Sequence, residues 1–156
     1  MPDQYLRAGD VISGQEGTAQ AIINGQVETL FMVRNLEATI EKIKEEVRTL
    51  GRRGTQNKAA GFSGSGSMTV YYATSIFRRL MLDYVKNGRD IYFDIIITNE
   101  DPTSTIGRQT VVLHGCNIDS VVIAKLDTES SLLDEDMDFT FDDADMLDEF
   151  NKPANM

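Results

Sequence analysis

The stretch Leu36-Glu37-Ala38-Thr39-Ile40-Glu41-Lys42-Ile43-Lys44-Glu45-Glu46-Val47-Arg48-Thr49-Leu50 admits two readings. Leu36, Ile40, Ile43, Val47 and Leu50 recur at the spacing of one helical face. Leu36, Ala38 and Ile40 also alternate with Glu37, Thr39 and Glu41, the pattern of a half-buried strand. A helix would set Glu37 beside Glu41 and Glu41 beside Glu45, like-charge neighbours that are mildly unfavourable. Periodicity alone leans to helix. The choice decides whether the chain is mainly β or mixed.

Residues 1–18 are polar and include Ser13-Gly14-Gln15-Glu16-Gly17, which predicts a flexible N-terminal arm. Ala19 to Ile23 is a short apolar run, and Asn24-Gly25 is a strong hairpin signal, so Gln26 to Val33 reads as the return strand. Gly51 to Ser67 is basic, Gly/Ser-rich and aperiodic. It reads as a long loop, and unstructured connections of more than about 12–15 residues are usually functional. Met68 to Ala73 is rich in β formers.

One helix is expected at about residues 75–86, capped by Thr74 or Ser75 and ended by Asn87-Gly88. Its apolar stripe is Ile76, Phe77, Leu80, Met81, Tyr84 and Val85. Ile91 to Thr98, Thr110 to Leu113 and Asn117 to Leu126 read as further strands, the last two turning near Gly115. In Asp136 to Asp142, Met137, Phe139 and Phe141 alternate with Asp138, Thr140 and Asp142, so this acidic segment also reads as a strand. Residues 144–156 read as an acidic, polar tail. The sum predicts a single domain over 1–156, mainly β: an antiparallel β-sandwich or barrel with one packed α-helix.

Composition narrows the function. The 156 residues carry 15 Lys+Arg against 25 Asp+Glu, a formal net charge of −10, which argues against a basic nucleic-acid binder. With 41% hydrophobic residues there is enough for a core. A lone Cys116 and a lone His114 exclude an internal disulfide, a cysteine zinc cage and a multi-histidine metal site. No run approaches the ~20 apolar residues of a membrane span. Met-Pro-Asp-Gln-Tyr-Leu-Arg has no signal-peptide apolar region. The expectation is a protein kept in a reducing cytoplasm or leaving it outside the secretory pathway.

The charge is unevenly placed. Residues 1–116 hold 13 acidic and 13 basic side chains, whereas residues 117–156 hold 12 acidic and 2 basic. Arg48, Arg52, Arg53 and Lys58 form a run with no acid among them, and Asp134 to Glu149 has nine carboxylates and no cation. Two solvated surfaces would explain this, and so would mutual attraction within or between subunits. The candidate subunit-interface residues are therefore Arg48, Arg52, Arg53 and Lys58 on one side and Asp134, Glu135, Asp142 and Asp143 on the other.

Motifs for chemistry fail when tested. Gly61-Phe62-Ser63-Gly64-Ser65-Gly66 lacks the Gly-Lys-Ser/Thr ending of a phosphate loop and the Gly-x-Ser-x-Gly pattern of a nucleophile elbow. Asp134, Asp136 and Asp138 have calcium-loop spacing, but position six is Phe139 and position twelve is Asp145. His114 and Cys116, two apart, would share a strand face, which is weak support for a nucleophile pair. The reading is a non-enzyme without cofactor or metal.

The order of features resembles the tail tube (core tail) proteins of contractile-tailed phages, of PBSX-like defective prophages and of diffocin-like R-type bacteriocins. The segments that carry this are Ile23-Asn24-Gly25-Gln26, Leu36-Glu37-Ala38 and Glu41-Lys42-Ile43-Lys44-Glu45-Glu46-Val47. Leu50-Gly51-Arg52-Arg53-Gly54-Thr55-Gln56-Asn57-Lys58, Met68-Thr69-Val70-Tyr71-Tyr72 and Thr74-Ser75-Ile76-Phe77-Arg78-Arg79-Leu80-Met81 follow in order. Asp83-Tyr84-Val85-Lys86, Asn117-Ile118-Asp119-Ser120 and Asp138-Phe139-Thr140-Phe141-Asp142-Asp143 complete the series.

The resemblance implies a β-sandwich or barrel with one helix. It implies hexameric rings stacked into a hollow tube within a sheath, a conduit for DNA ejection or membrane perforation. Implied partners are the chain itself, the tail sheath protein, and the baseplate, tube-initiator and terminator proteins. Tape measure protein and DNA would be lumen contents only, and no membrane is contacted at rest. The implied location is a virion tail or phage-tail-like particle, assembled in the bacterial cytoplasm. The resemblance also implies a strand through about Glu46 and a loop at 51–67 that reaches a neighbouring subunit. A type VI secretion-type tube protein and a small β-sandwich ligand-binding module are the alternatives. The second is disfavoured by 8% aromatics and no Trp.

Overall fold

The computed structural model describes residues 6–30 and 33–153. The stretch that periodicity leans toward helix is strand, as the resemblance implies. Strand β3 spans Val33–Val47 and runs antiparallel to β4, Gln56–Tyr71, over nearly its whole length. Leu36 and Ala38 turn toward the core and Glu37 and Thr39 toward solvent, so the charged residues separate from the apolar ones without like charges one turn apart.

The expectation of a loop over 51–67 is corrected: only residues 48–55 connect the two strands, and the Gly/Ser-rich run lies within β4. Gly64 and Gly66 stand opposite Phe141 and Phe139 of β7, Asp134–Phe141. A Cβ on either glycine would overlap the facing phenyl ring. The glycines leave the space over the strand that the two rings fill, which is one of the reasons glycine occurs inside strands. Composition marks this run as a loop because it cannot show the facing strand.

The remaining strands pair as two layers. Strand β1, Gly17–Ile23, forms a hairpin with β2, Gln26–Thr29, through Asn24 and Gly25, both with positive φ (53° and 79°). The return strand is thus shorter than expected, and its expected residues Phe31 and Met32 lie outside the described residues. One layer runs β2–β1–β5–β6 with β8 on the far side of β6. The other runs β6–β7–β4–β3. Here β5 is Phe93–Glu100, β6 is Arg108–Ile118 and β8 is Asp143–Asp148.

Strand β6 belongs to both layers. Its first part pairs with β5 and β8, and Asn117 and Ile118 pair with β7. It bends at Gly115, whose φ is 66°, opposite Asp142, where the chain passes from β7 to β8. Such a bend is how a strand changes sheets at a sandwich corner. The two strands expected at Thr110–Leu113 and Asn117–Leu126 are therefore one. It ends at Ile118, and residues 119–133 have no regular structure.

Both termini also depart from expectation. Within the described part of the arm, residues 8–10 form a short 3-10 turn and β1 begins at Gly17. Residues 1–5 of the arm lie outside the described residues. Buried Asp10 accepts a hydrogen bond from Thr105 Oγ1 at 2.5 Å, and buried Asp101 accepts one from the Ser13 amide at 2.9 Å. These bonds tie the segment to the β5–β6 connection. The tail expected over 144–156 is in part strand β8, laid along β6, while residues 154–156 lie outside the described residues.

Helix α1, Ile76–Asn87, agrees with the expected helix to within a residue. Thr74 Oγ1 accepts from the Ile76 amide at 3.3 Å, and Gly88 closes the end in the left-handed conformation with its amide bonded to Tyr84 O. Phe77 is buried against Phe93, ring centroids 6.1 Å apart, and Ile76 and Leu80 pack beside it. The stripe does not stay buried along the helix: Tyr84 and Val85 are exposed.

Candidate subunit interface

The paired strands β3 and β4 are 15 and 16 residues long, and only their inner halves touch the body. Beyond Ala38 and Gly64, every residue of both strands is exposed out to the turn. The outer half bends at an irregularity between Ile43 and Lys44, beside Gly61. Ile40, Ile43, Phe62 and Leu50 are exposed apolar side chains on this projection. Cross-strand hydrogen bonds join its two strands to each other only, leaving their outward backbone groups without a strand partner, and no core covers its side chains.

The basic candidates all lie here. Arg48, Arg52 and Arg53 are in the turn and Lys58 is on β4, all exposed. Arg48 approaches Glu46 at 3.8 Å, an exposed pair of small energetic value. Arg52 and Arg53 make no ion pair among the described residues. The acidic candidates lie elsewhere and divide. Asp134 is 2.9 Å from Arg34 and 3.7 Å from Lys125. Glu135 is a correction: it is buried on the core face of β7 and pairs with Arg78, so it offers nothing to a neighbour. Asp142 and Asp143 are exposed. No cation of the basic set pairs with any of these four carboxylates within the described chain.

Glu135 was legible in principle. Met137, Phe139 and Phe141 mark the inner face of β7, and stepping back two residues puts Glu135 on it. Its partner Arg78 follows Phe77 at the edge of the apolar stripe on α1, and nothing in the sequence pairs the two.

The outer face of β3, β4 and β7 is acidic. In register across it lie Glu37 and Glu41, then Ser63, Ser65, Ser67 and Thr69, then Asp134, Asp136 and Asp138. Thr69 Oγ1 donates to Asp136 at 2.6 Å. Among the described residues no cluster of His, Cys, Asp and Glu is arranged to hold a metal ion.

A second surface feature sits under the C-terminal half of α1. Leu80, Met81, Tyr84, Ile91, Phe93 and Ile118 line a cleft of about 310 Å³, with Asp90 and Asp119 at its rim. Asn117 Nδ2 donates to Asp90 at 2.7 Å. Neither Asp90 nor Asp119 has an ion-pair partner among the described residues.

His114 and Cys116 do not share a face. Gly115 breaks the alternation between them, leaving Cys116 in the core and His114 at the surface. Burial, and next the Asp94 charge, push the Cys116 thiol up to about 12, the opposite of an activated nucleophile. His114 Nε2 lies 2.8 Å from Asp145 and Nδ1 lies 3.5 Å from Asp94. The hydrogen bond to Asp145, with the Asp94 charge, holds the imidazole above its ordinary value against some desolvation. No described helix is long and apolar enough to cross a membrane.

Comparison with known proteins gives a consistent result. A family model described as phage tail tube protein matches residues 4–148. The phage-like element PBSX protein XkdM of Bacillus subtilis (strain 168) is 42% identical over 141 residues, covering 90% of this chain and 93% of the relative. The fold is shared with the sheath–tube complex of the extracellular contractile injection system PVC in its extended state. There the TM-score is 0.65 at 12% identity, over 89% of this chain and 93% of the other. The SPP1 tail tube matches with a TM-score of 0.60 at 14% identity, over 90% and 81% of the two chains.

Proposed function

The chain belongs to the phage tail tube protein family and serves as a tail tube subunit, and from that premise we propose how it assembles. Copies close into hexameric rings, and rings stack into a hollow tube inside a contractile sheath. The observation that carries this is the β3–β4 projection, whose outer half finds no partner among the described residues of its own chain. An ordered, exposed hairpin with apolar residues on it is suited to lie against a neighbouring copy.

Two further features support the reading. The outer edges of β2 and β3 are unpaired among the described residues. Pairing across copies satisfies such edges, and unlike surfaces on each copy are what a ring requires. The acidic face of β3, β4 and β7 suits a lumen wall that repels phosphate and lets DNA pass. We assign the sheath to the outside of the tube, with baseplate, initiator and terminator proteins at its ends. Tape measure protein and DNA occupy the lumen only. The particle is a phage tail or phage-tail-like particle assembled in the bacterial cytoplasm. The role is structural, with no catalytic step: the Cys116 thiol is buried and His114 is held by two carboxylates.

Of the candidate interface residues, Arg48, Arg52, Arg53 and Lys58 remain the basic side. Asp142 and Asp143 are accessible on the acidic side, while Asp134 is engaged and Glu135 is buried. Negative-stain microscopy of the purified chain at tens of micromolar tests the assembly, with preformed tubes as seeds. Rings or tubes are expected. Monomers alone, even with seeds, would end the proposal.

A further inference from the structure

Leu50 stands at the tip of the projection, fully exposed, between Arg48 on one side and Arg52 and Arg53 on the other. The ladder from Ile40–Gly64 to Val47–Gln56 carries this tip about 25 Å beyond the body, at the rise of an extended strand. An apolar side chain ringed by cations needs an apolar hollow ringed by anions. The cleft beneath α1 is such a hollow: Leu80, Met81, Tyr84 and Ile118 form its walls, and Asp90 and Asp119 stand unpaired by any described cation at its rim. The exposed end of the helical stripe has its explanation here, because Tyr84 is a wall of the cleft.

We propose that the tip of one copy seats Leu50 in the α1 cleft of a second copy, with Arg52 and Arg53 against Asp90 and Asp119. The occupant is another copy because Leu50 is fully exposed and finds no cover among the described residues of its own chain. Charge complementarity selects it: the turn brings at least two cations to a rim of two carboxylates. This rests on the self-assembly reading and sharpens it, moving the acceptor from the acidic strand β7–β8 to the helix.

The test uses full-length chains carrying Thr49→Cys or Ser120→Cys, mixed under assembling conditions with a short bis-maleimide. Both positions are exposed and leave the knob and the cleft walls intact. The native Cys116 is buried and does not compete. A heterodimer that requires both substitutions is expected. Leu50→Asp should raise the concentration needed for assembly by about tenfold or more, the loss expected for one buried leucine. Arg52→Glu with Arg53→Glu should block assembly, and Asp90→Lys with Asp119→Lys should restore it.

The two readings separate cleanly. Wild-type tubes without the crosslink, or normal assembly of Leu50→Asp, overturn the contact and leave the tube standing. Such a result would fit a cleft that holds a small apolar ligand instead. A crosslink without tubes upholds the contact and removes the ring-and-tube reading. Rescue by Asp142→Lys with Asp143→Lys rather than by the cleft substitutions would overturn the contact. Absence of both tubes and crosslink overturns both.

Discussion

Arg78 on α1 places Nη1 2.9 and 2.8 Å from the two carboxylate oxygens of Glu135 on β7. The side chains are 12% and 2% exposed. The same guanidinium donates to the carbonyls of Thr74 and Val122 and lies over the Tyr72 ring, 4.3 Å from its centroid. One side chain thus fastens the helix, the irregular segment after β6 and the inner sheet. Removing one member of a buried pair strands the other charge, which costs about 3–5 kcal/mol. Arg78→Ala should therefore lower stability in urea unfolding by that amount. The double substitution Arg78→Met with Glu135→Leu should lose much less. Equal losses in the single and double variants would show that packing of the arginine, not the stranded charge, sets the cost.

The glycines of β4 make a second prediction. Gly66→Ala puts a methyl group where the Phe139 ring sits, with Glu37 O 2.9 Å away on the other side. Overpacking of this kind costs about 1–3 kcal/mol. Gly54→Ala, in the turn, meets only Arg52 Nε at 3.8 Å and should be near neutral. Thermal melts of the two variants decide it, and equal midpoints would mean that the ring moves aside freely.

The contrast between those two glycines also shows what the sequence could reveal. Alternation in Asp136–Asp142 was readable because a strand with one wet face writes its pattern in its own residues, and α1 was readable for the same reason. The Gly-Ser run of β4 was not, because its meaning lies in Phe139 and Phe141 about seventy-five positions later. The β3 stretch stayed divided because its outer half buries nothing, so neither period had a core to report. Arg52 and Arg53 were found by composition, whereas Asp90 and Asp119 are single acids in unremarkable surroundings. Only the fold brings them to one rim.

The N-terminal segment carries a pH-dependent clasp. Asp10 accepts from Thr105 Oγ1 and the Arg7 amide, and Asp101 accepts from Thr103 Oγ1, the Ser13 amide and the Thr103 amide. These bonds, first those from Thr105 and Thr103, hold both carboxyls below the ordinary value of 3.8. Their contribution is therefore complete above that value and is lost as pH falls through it toward the lower native values. Between pH 5 and pH 2, the amide resonances of Ser13 and Thr103 should move before the core unfolds. Asp101→Asn should remove the Ser13 part of the change. If the Ser13 and Thr103 amides shift only with global unfolding, the clasp is not a separate unit.

Strand β8 is held at the opposite pH limit. It lies along β6 with Asp143 across from His114, and Asp145 reaches the imidazole at 2.8 Å. Asp94, on β5, faces the other ring nitrogen at 3.5 Å. At the far end Asp148 is 3.2 Å from Arg108 and accepts from Thr110 Oγ1 at 3.0 Å. Protonated His114 offsets the carboxylates of Asp145 and Asp94. The His114 value is raised, so this stabilisation is complete below the ordinary 6.5 and is lost as pH rises through the higher native value. Above that point Asp94 and Asp145 flank the imidazole without its positive charge. The Asp143 end of β8 should then fray while the Arg108 end holds. Because the chain has one histidine, a single imidazole resonance reports the titration, and amide exchange along Asp143–Asp148 reports the strand. Exchange at Ala144 and Asp145 should quicken with the imidazole titration, beyond the intrinsic rise with pH. Exchange at Asp148 should follow the intrinsic rise alone. His114→Gln keeps a neutral hydrogen-bonding side chain and should remove the extra quickening. If the extra quickening persists in His114→Gln, another group governs the edge and the histidine is incidental.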